Sequence, residues 1–181
     1  MKTYIVLLRG VMPTGKNKVP MAQLRTILSE AGFENVRTYI QSGNALVDTK
    51  LSAKEIEMKV HELIKQHMGA HISVVVRTGN QLQKVLEANP FNDGFDPSRV
   101  FYVLFKNRPN PIKVDELCTL DFGKEKMFIG TDEAYLYLPE NAARSKLSNL
   151  FLERKLEITA TTRNLNTMKK LVELSRDSVK N

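Results

Sequence analysis

The sequence has a single cysteine, no tryptophan and no long apolar run. With Cys118 alone there is no intramolecular disulfide framework, which favours a reducing compartment. No segment approaches the roughly 20 apolar residues that a membrane-spanning helix needs. The N-terminal apolar run is too short for a signal peptide and lacks a small-residue cleavage site. We therefore expect a cytoplasmic protein without a membrane partner.

The composition is that of an ordinary globular protein, with 42% apolar and 26% charged residues in 181. The net charge is +7, and it is unevenly distributed. Residues 1–90 have twelve basic against seven acidic residues, 91–140 have six against nine, and 141–181 have nine against four. Such a balance bears on attraction to anions and on solubility. A solvated basic surface is the alternative interpretation.

Hydrophobic periodicity predicts strand, helix, strand, strand, helix, strand and a further helix, and the second half repeats this order. First-half strands are predicted at 3–9, 36–40, 45–47 and 72–77, with helices from Pro20, Ser52 and Thr78. Second-half strands are predicted at 100–105, 126–129, 134–138 and 157–160, with helices at 114–120, at 144–156 and from Thr162. Ser52 and Glu55 form a capping box, and Gly69 ends the helix that they begin.

This element order predicts an α+β protein built from two tandem ferredoxin-like subdomains. Each subdomain is a βαββαβ plait with an antiparallel sheet, followed by an extra helix. The run NPFNDGFDPS at 89–98 is rich in Asn, Asp, Gly and Pro. We therefore predict a first subdomain at 1–90, a linker at 91–98, and a second subdomain with a C-terminal helix at 99–181.

Gly10–Lys16 matches the phosphate-binding pattern G-x-x-x-x-G-K, but its context does not fit nucleotide hydrolysis. Asn17 stands where a Ser or Thr hydroxyl would bind Mg²⁺. Pro13 removes a backbone N–H from the loop, and the next helix begins only near Pro20. We conclude that the match is not a Walker motif.

The same loop can still bind an anion through side chains. In a βαββαβ plait, the end of the first strand and the turn between the second and third strands lie at one edge of the sheet. That edge would also hold the 67–71 connection. Cationic and amide donors there suit phosphate or carboxylate; they are Arg9, Lys16, Asn17, Lys18, Gln41, Ser42 and Asn44. The alternative is that the cations are solvated and the amides satisfy turn backbone.

A second basic patch is predicted near the C-terminus. It comprises Arg144, Lys146, Lys155, Arg163 and Asn164. Arg163 follows two threonines at a predicted helix start, where free N–H groups could help to hold a phosphate. Capping by Thr162 together with exposed charge is the alternative. Ser145 and Lys146 do not form a catalytic pair, because adjacent helical residues point about 100° apart.

The remaining constellations favour structural roles. His67 and His71 have the spacing of a helical zinc pair, but Gly69 between them should break the helix, and the sequence offers no clear third ligand. No metal site is therefore predicted. Cys118 is expected to be a small buried apolar residue. Phe101 and Phe105 share a face with Val103, so a core role is favoured over an RNA-stacking platform. No cofactor is predicted.

Four ordered motifs carry a resemblance to a known family. They are LLRG followed by GKNKVPM, then TYIQSGNALVD, AARSKLSNLFLERKL and TTRNLNTMKKLVEL. In these the chain resembles the bacterial domain-of-unknown-function 1697 family. The resemblance implies a cytoplasmic protein of two ferredoxin-like subdomains with no established activity, so it assigns no catalytic residue.

The chain departs from this family at two places. The family usually has INVGGKN where this chain has VMPTGKN at 11–17, and Trp where Leu165 stands. If those positions serve a ligand in the family, this member has lost that contact.

Two functional hypotheses follow, and the sequence does not decide whether the protein is an enzyme. The first is an anion-binding module whose partner is nucleic acid or a phosphorylated ligand. The second is a small-molecule enzyme of unknown reaction, with its site at the rim of loop 10–19 and hairpin 41–44. Self-association into a homo-oligomer is a third hypothesis.

Overall fold

Two four-stranded antiparallel sheets organise the chain in the computed structural model, which describes residues 1–177. The strands of the first sheet are β1 (Lys2–Leu8), β2 (Glu34–Tyr39), β3 (Asn44–Thr49) and β4 (Val74–Thr78). Their order in the sheet is β2-β3-β1-β4. The helices of this half are α1 (Met21–Glu30), α2 (Ala53–Met68) and α3 (Gly79–Glu87).

The second half repeats the first. Its strands are β5 (Val100–Phe105), β6 (Lys126–Ile129), β7 (Glu133–Tyr137) and β8 (Ala160–Asn164), in the order β6-β7-β5-β8. Its helices are α4 (Pro111–Cys118), α5 (Asn149–Leu156) and α6 (Leu165–Asp177). The α+β class and the two tandem ferredoxin-like subdomains, each followed by an extra helix, are therefore confirmed.

The chain divides into two compact units. One comprises Met1–Gln83 and Lys170–Asn181, and the other comprises Lys84–Lys169. The last part of α6 therefore belongs to the first unit. The subdomain bounds of 1–90 and 99–181, with a linker at 91–98, stay a prediction, and residues 178–181 of the second subdomain lie outside the described residues.

The first unit has its core between one face of the sheet and the helices α1 and α2. Alternate strand residues such as Val6 and Val47 pack there with helix residues at three- and four-residue spacing, such as Leu24 and Val60. Burial of these apolar side chains is the main term that stabilises the unit, at about 25 cal/mol per Å² removed from water.

The capping box at the start of α2 is confirmed. Ser52 Oγ accepts a hydrogen bond from Glu55 N at 3.3 Å, and the Glu55 carboxylate accepts one from Ser52 N at 2.7 Å. Ser52 Oγ also donates to the Glu55 carboxylate at 2.6 Å, and this hydrogen bond, together with the one from Ser52 N, lowers the pKa of Glu55. Gly69 ends the helix with a φ of 67°.

The second unit has an equivalent core. Val103 and Phe105 lie in it with Leu152 and Leu156, and Phe101 packs against it, so the predicted core role of the phenylalanines is confirmed. On the opposite sheet face, Tyr135 is buried and its hydroxyl donates to Val85 O at 2.9 Å. Burial is the main cause that raises the pKa of Tyr135.

Two element boundaries near the C-terminus were predicted wrongly. The helix expected at 144–156 begins at Asn149, because Ser148 Oγ caps it by accepting from Phe151 N at 3.2 Å. Before it, Ala142–Arg144 form only a 3-10 turn. The strand expected at 157–160 is instead β8, which begins where the Asn149 side chain donates to Ala160 O.

Thr162 therefore does not cap the last helix. It lies inside β8, where a β-branched residue is favoured. The helix α6 begins after Asn164, whose Oδ1 accepts from Thr167 N at 2.9 Å. Asn is a better capping residue than Thr, so the helix begins after the stronger of the two candidate caps.

Gly43 brings together two turns that are distant in sequence. It lies at the tip of the β2–β3 hairpin with a φ of 82°, and its carbonyl accepts from Leu8 N at 2.8 Å. A Cβ on Gly43 would lie 2.8 Å from both Leu8 Cβ and Val11 Cγ2. The connection before β4 joins the same edge, since Arg9 N donates to Ser73 O at 2.9 Å. The predicted neighbourhood of these turns is confirmed.

Gly79 allows a second close approach, between the start of α3 and the last part of α6. A Cβ on Gly79 would lie 2.0 Å from Ser175 Oγ and 2.9 Å from Ser175 Cβ. Ser175 Oγ is held in place because it donates to Val172 O at 2.7 Å. At the preceding position of α6, Leu174 O accepts from the Arg37 guanidinium at 2.8 Å. These contacts attach the end of α6 to the first sheet.

We predict that Gly79→Ala destabilises the protein by about 1–3 kcal/mol, the usual cost of overpacking. Urea unfolding measures the change. Adding Ser175→Gly removes the clashing Cβ and Oγ. The double variant should therefore lose less stability than the two single variants lose when their losses are added. If the two single changes in the free energy of unfolding simply add, the close contact between Gly79 and Ser175 is contradicted.

We predict that Gly43→Ala costs more stability than Gly15→Ala. Both glycines have positive φ, at 82° and 80°, so both variants strain the backbone. Only the Gly43 Cβ meets other atoms, whereas Gly15 has nothing within 4 Å. The difference between the two, measured by urea unfolding, should be about 1–3 kcal/mol. Equal losses would contradict the close approach to Leu8 and Val11.

Candidate functional site

We call the edge formed by residues 9–19 and the hairpin turn 40–43 the loop edge. The loop folds on itself: Met12 N donates to Asn17 O at 3.0 Å, and Lys18 N donates to Gly15 O at 3.1 Å. These N–H groups are used inside the loop and do not surround a central phosphate. The following helix begins at Met21, well after the lysines. The geometry differs from that of a nucleotide-hydrolysing loop in both respects.

Cationic side chains lie on this edge. Lys16 and Lys18 are exposed, and Arg9 is half-buried. Neither lysine forms an ion pair with another residue of the described chain. Two ammonium groups on one short loop therefore face solvent without a carboxylate to offset them.

The predicted amide donors are mostly engaged in the turns. Asn17 Nδ2 donates to Gly10 O at 3.3 Å. Asn44 is buried, and its Nδ2 donates to Tyr39 O at 3.1 Å and to Ser42 Oγ at 3.0 Å. Gln41 is exposed at the tip. Asn17 and Asn44 therefore use amide N–H groups within the turns, whereas Lys16, Lys18, Gln41 and Ser42 are exposed. A binding role for the predicted residues stays a prediction.

Sequence reasoning missed two exposed apolar residues on the loop edge. Met12 is 55% exposed and Ile40 is 50% exposed. Ile40 also has a φ of 48°, which is unusual for a β-branched residue. Only the register could have revealed this, because Tyr39 pairs with Asn44 and leaves Ile40 as the first residue of a four-residue turn.

The structure does not present the second basic patch as one surface. Arg144 and Lys146 are exposed, but Arg163 is buried in β8. Its guanidinium donates to Thr161 Oγ1 at 2.7 Å and to Thr162 O at 2.9 Å, and burial lowers its pKa to about 10. Asn164 caps α6. The helix-start position expected for Arg163 is wrong, and a binding role for the patch stays a prediction.

The remaining candidates are on the surface. Cys118 is exposed, so the expectation of a buried residue is wrong: α4 buries Leu117 and ends at Cys118. His67 and His71 are exposed. Within residues 1–177, no group of three or more His, Cys, Asp or Glu side chains could hold a metal ion.

A cavity of about 700 Å³ with polar and apolar groups in its lining lies at the other edge of the first sheet, and sequence reasoning missed it. It is lined by Met1, Lys2, Thr3, Asn35, Asp48, Thr78, Gly79, Asn80, Ser175 and Arg176. Asp48 is only 6% exposed. An acidic residue in the apolar strand segment ALVDT was the signal, because Asp is depleted in strands and rarely buried.

In the described part of the chain, none of the helices has both the length and the apolar character needed to cross a bilayer. The longest, α2, has 16 residues and charged residues along its outer face. This finding agrees with the sequence, in which no long apolar run occurs.

Comparison with known proteins supports the fold and the family. The structure of the conserved bacterial protein SP0830 from Streptococcus pneumoniae is similar, with a TM-score of 0.76 and 23% sequence identity over 97% of this chain and 99% of that one. At this identity the similarity shows the fold alone. No curated protein matches the chain. Residues 1–135 match the model described as "Protein of unknown function (DUF1697)", so the chain belongs to the DUF1697 family.

Proposed function

We propose that the protein is an anion-binding module that holds the phosphates of nucleic acid at the loop edge. The observation that carries this proposal is the contact of Gly43 with Leu8 and Val11, which unites the loop and the hairpin turn. The loop joined in this way contains two exposed lysines, Lys16 and Lys18, without an ion-pair partner among the described residues.

The energetics favour a polyanion over a single phosphate. An exposed ion pair contributes only about 0–1 kcal/mol, because water and salt screen it. Two lysines therefore bind an isolated phosphate weakly. A nucleic-acid strand presents many phosphates, and each one that a lysine neutralises releases counterions. The net charge of +7 adds long-range attraction to such a ligand.

The apolar residues at the same edge suit this ligand. Met12 and Ile40 are about half exposed beside a cationic loop. Unpaired bases present flat faces next to their phosphates, and these two aliphatic side chains offer apolar surface against which such faces can pack. A single strand offers both groups at once, so single-stranded nucleic acid is the preferred form.

The main chain of the loop contributes little to this binding. Two of its N–H groups, on Met12 and Lys18, are already hydrogen-bonded inside the loop. Side-chain charge is therefore the source of affinity, and we expect contact without sequence preference. Phosphate contacts position a nucleic acid but do not read its bases.

We predict that Lys16→Ala with Lys18→Ala weakens the binding of a labelled 20-nucleotide single strand. Fluorescence anisotropy at several salt concentrations measures both the affinity and its salt dependence. Loss of two phosphate contacts should reduce the slope of log K against log salt by about 1.4, since each contact on a single strand contributes about 0.7.

A matched control is Lys50→Ala with Lys54→Ala. These lysines are exposed in the same unit, and the double change removes the same charge from the other edge of the sheet. The control should retain most of the affinity. Undetectable binding of the unmodified protein at 50 mM salt, or equal losses in both double variants, would refute the proposal.

A further inference from the structure

The cavity at the far edge of the first sheet contains a buried carboxylate. Asp48 lies near the end of β3, opposite Thr3 of β1. Its Oδ1 accepts from Thr3 Oγ1 at 2.7 Å, and its Oδ2 accepts from Asn35 Nδ2 at 2.8 Å. Both partners are neutral. A carboxylate has about four acceptor positions, so these two hydrogen bonds leave it able to accept more.

The cations near this carboxylate do not pair with it. Arg37 and Arg77 lie on the same face of the sheet by register, but their guanidinium groups donate to Leu174 O and Val76 O. Asp48 has no ion pair with any described residue. A buried carboxylate without an ion-pair partner is costly, and proteins usually place a cation beside it. A protonated amine from a ligand would do so.

The wall of the cavity has charges of the opposite sign. Arg176 and Lys2 both line it. Arg176 Nη2 donates to the Gln83 side chain at 3.3 Å, which is a neutral partner. Neither residue forms an ion pair with another described residue. An anionic group in the cavity would therefore find a guanidinium that no described residue pairs with, a donor well suited to carboxylate or phosphate.

We infer that this cavity binds a small zwitterion, with its protonated amine on Asp48 and its carboxylate or phosphate on Arg176. The ligand class follows from both charges being present in one space. A simple amine would make no use of Arg176, and a simple anion would be repelled by Asp48. The site thus discriminates by charge pattern.

Size and lining agree with this ligand. A volume of about 700 Å³ lies within the range of 300–1,000 Å³ that is usual for small-molecule sites. Thr78, Asn80 and Ser175 add hydroxyl and amide groups to the lining. Ser175 Oγ donates to Val172 O, so it can still accept from a ligand. Gly79 is also part of the lining, at the point where Ser175 packs against it.

The site is independent of the loop edge. The loop edge lies where β1 ends and β3 begins, whereas the cavity lies where β1 begins and β3 ends. Loss of Lys16 and Lys18 therefore should not affect the cavity. The two proposals can fail separately.

The test is isothermal titration calorimetry of the full chain with two sets of probes. The zwitterions are the twenty free amino acids and O-phosphoethanolamine, and the single-charge controls are butylamine and butyrate. We expect at least one zwitterion to bind about tenfold or more tightly than either control, since a charge-assisted hydrogen bond contributes that much.

Variants assign the two ends of the ligand. Asp48→Asn should weaken binding of that zwitterion about tenfold or more, and Arg176→Gln should do the same. Lys54→Gln and the double change of Lys16 and Lys18 to Ala should leave its affinity unchanged. Because Asp48 is buried, Asp48→Asn is first checked by circular dichroism; if it does not fold, the exposed Arg176→Gln decides the outcome.

Three results would overturn the inference. One is that none of the probes binds with a Kd below about 10 mM, because a site with two charge-assisted contacts should bind more tightly than that. Another is that butylamine or butyrate binds as tightly as the zwitterions. The last is that Arg176→Gln, folded and tested with the bound zwitterion, retains the affinity of the unmodified chain.

Discussion

The loop edge depends on the contact between Gly43 and the end of β1. A four-residue turn can approach the backbone at Leu8 and the side chain of Val11 only where no Cβ intervenes. The positive φ of 82° adds a second reason for glycine at this point. Because the carbonyl of Gly43 bonds the N–H of Leu8, the hairpin turn fixes where the following loop, and hence Lys16 and Lys18, leaves the sheet.

The two edges of the first sheet offer different chemistry on one scaffold. At the loop edge, charge is exposed and well hydrated, so single contacts are weak and a ligand must make several. At the other edge, Asp48 is only 6% exposed, so each contact made to its carboxylate is stronger. A plait places loops at both ends of its strands, and this explains how one small unit has two independent candidate sites.

Local chemistry made much of the fold predictable. The capping box of Ser52 and Glu55 and the positive φ of Gly69 need only near neighbours, so α2 was predicted with both ends correct. The run of apolar and aromatic residues at Val100–Phe105 likewise gave β5 its bounds. Prediction failed where competing signals lay close together. Thr162 and Asn164 are both capping residues, and only the pairing of β8 with β5 shows that Thr162 belongs to a strand.

The sequence by itself determined the order of the elements, the family and the basic loop, because periodicity, caps and motifs are local properties. Tertiary structure alone decided which groups of that loop stay available, since the engagement of Asn17 and Asn44 depends on turn geometry. It also decided that Asp48, Arg176 and the start of α3 line one cavity. Asp48 and Arg176 are 128 positions apart in the sequence (176 − 48). They come close in space only because α6 packs on the sheet, and no local sequence pattern encodes that packing.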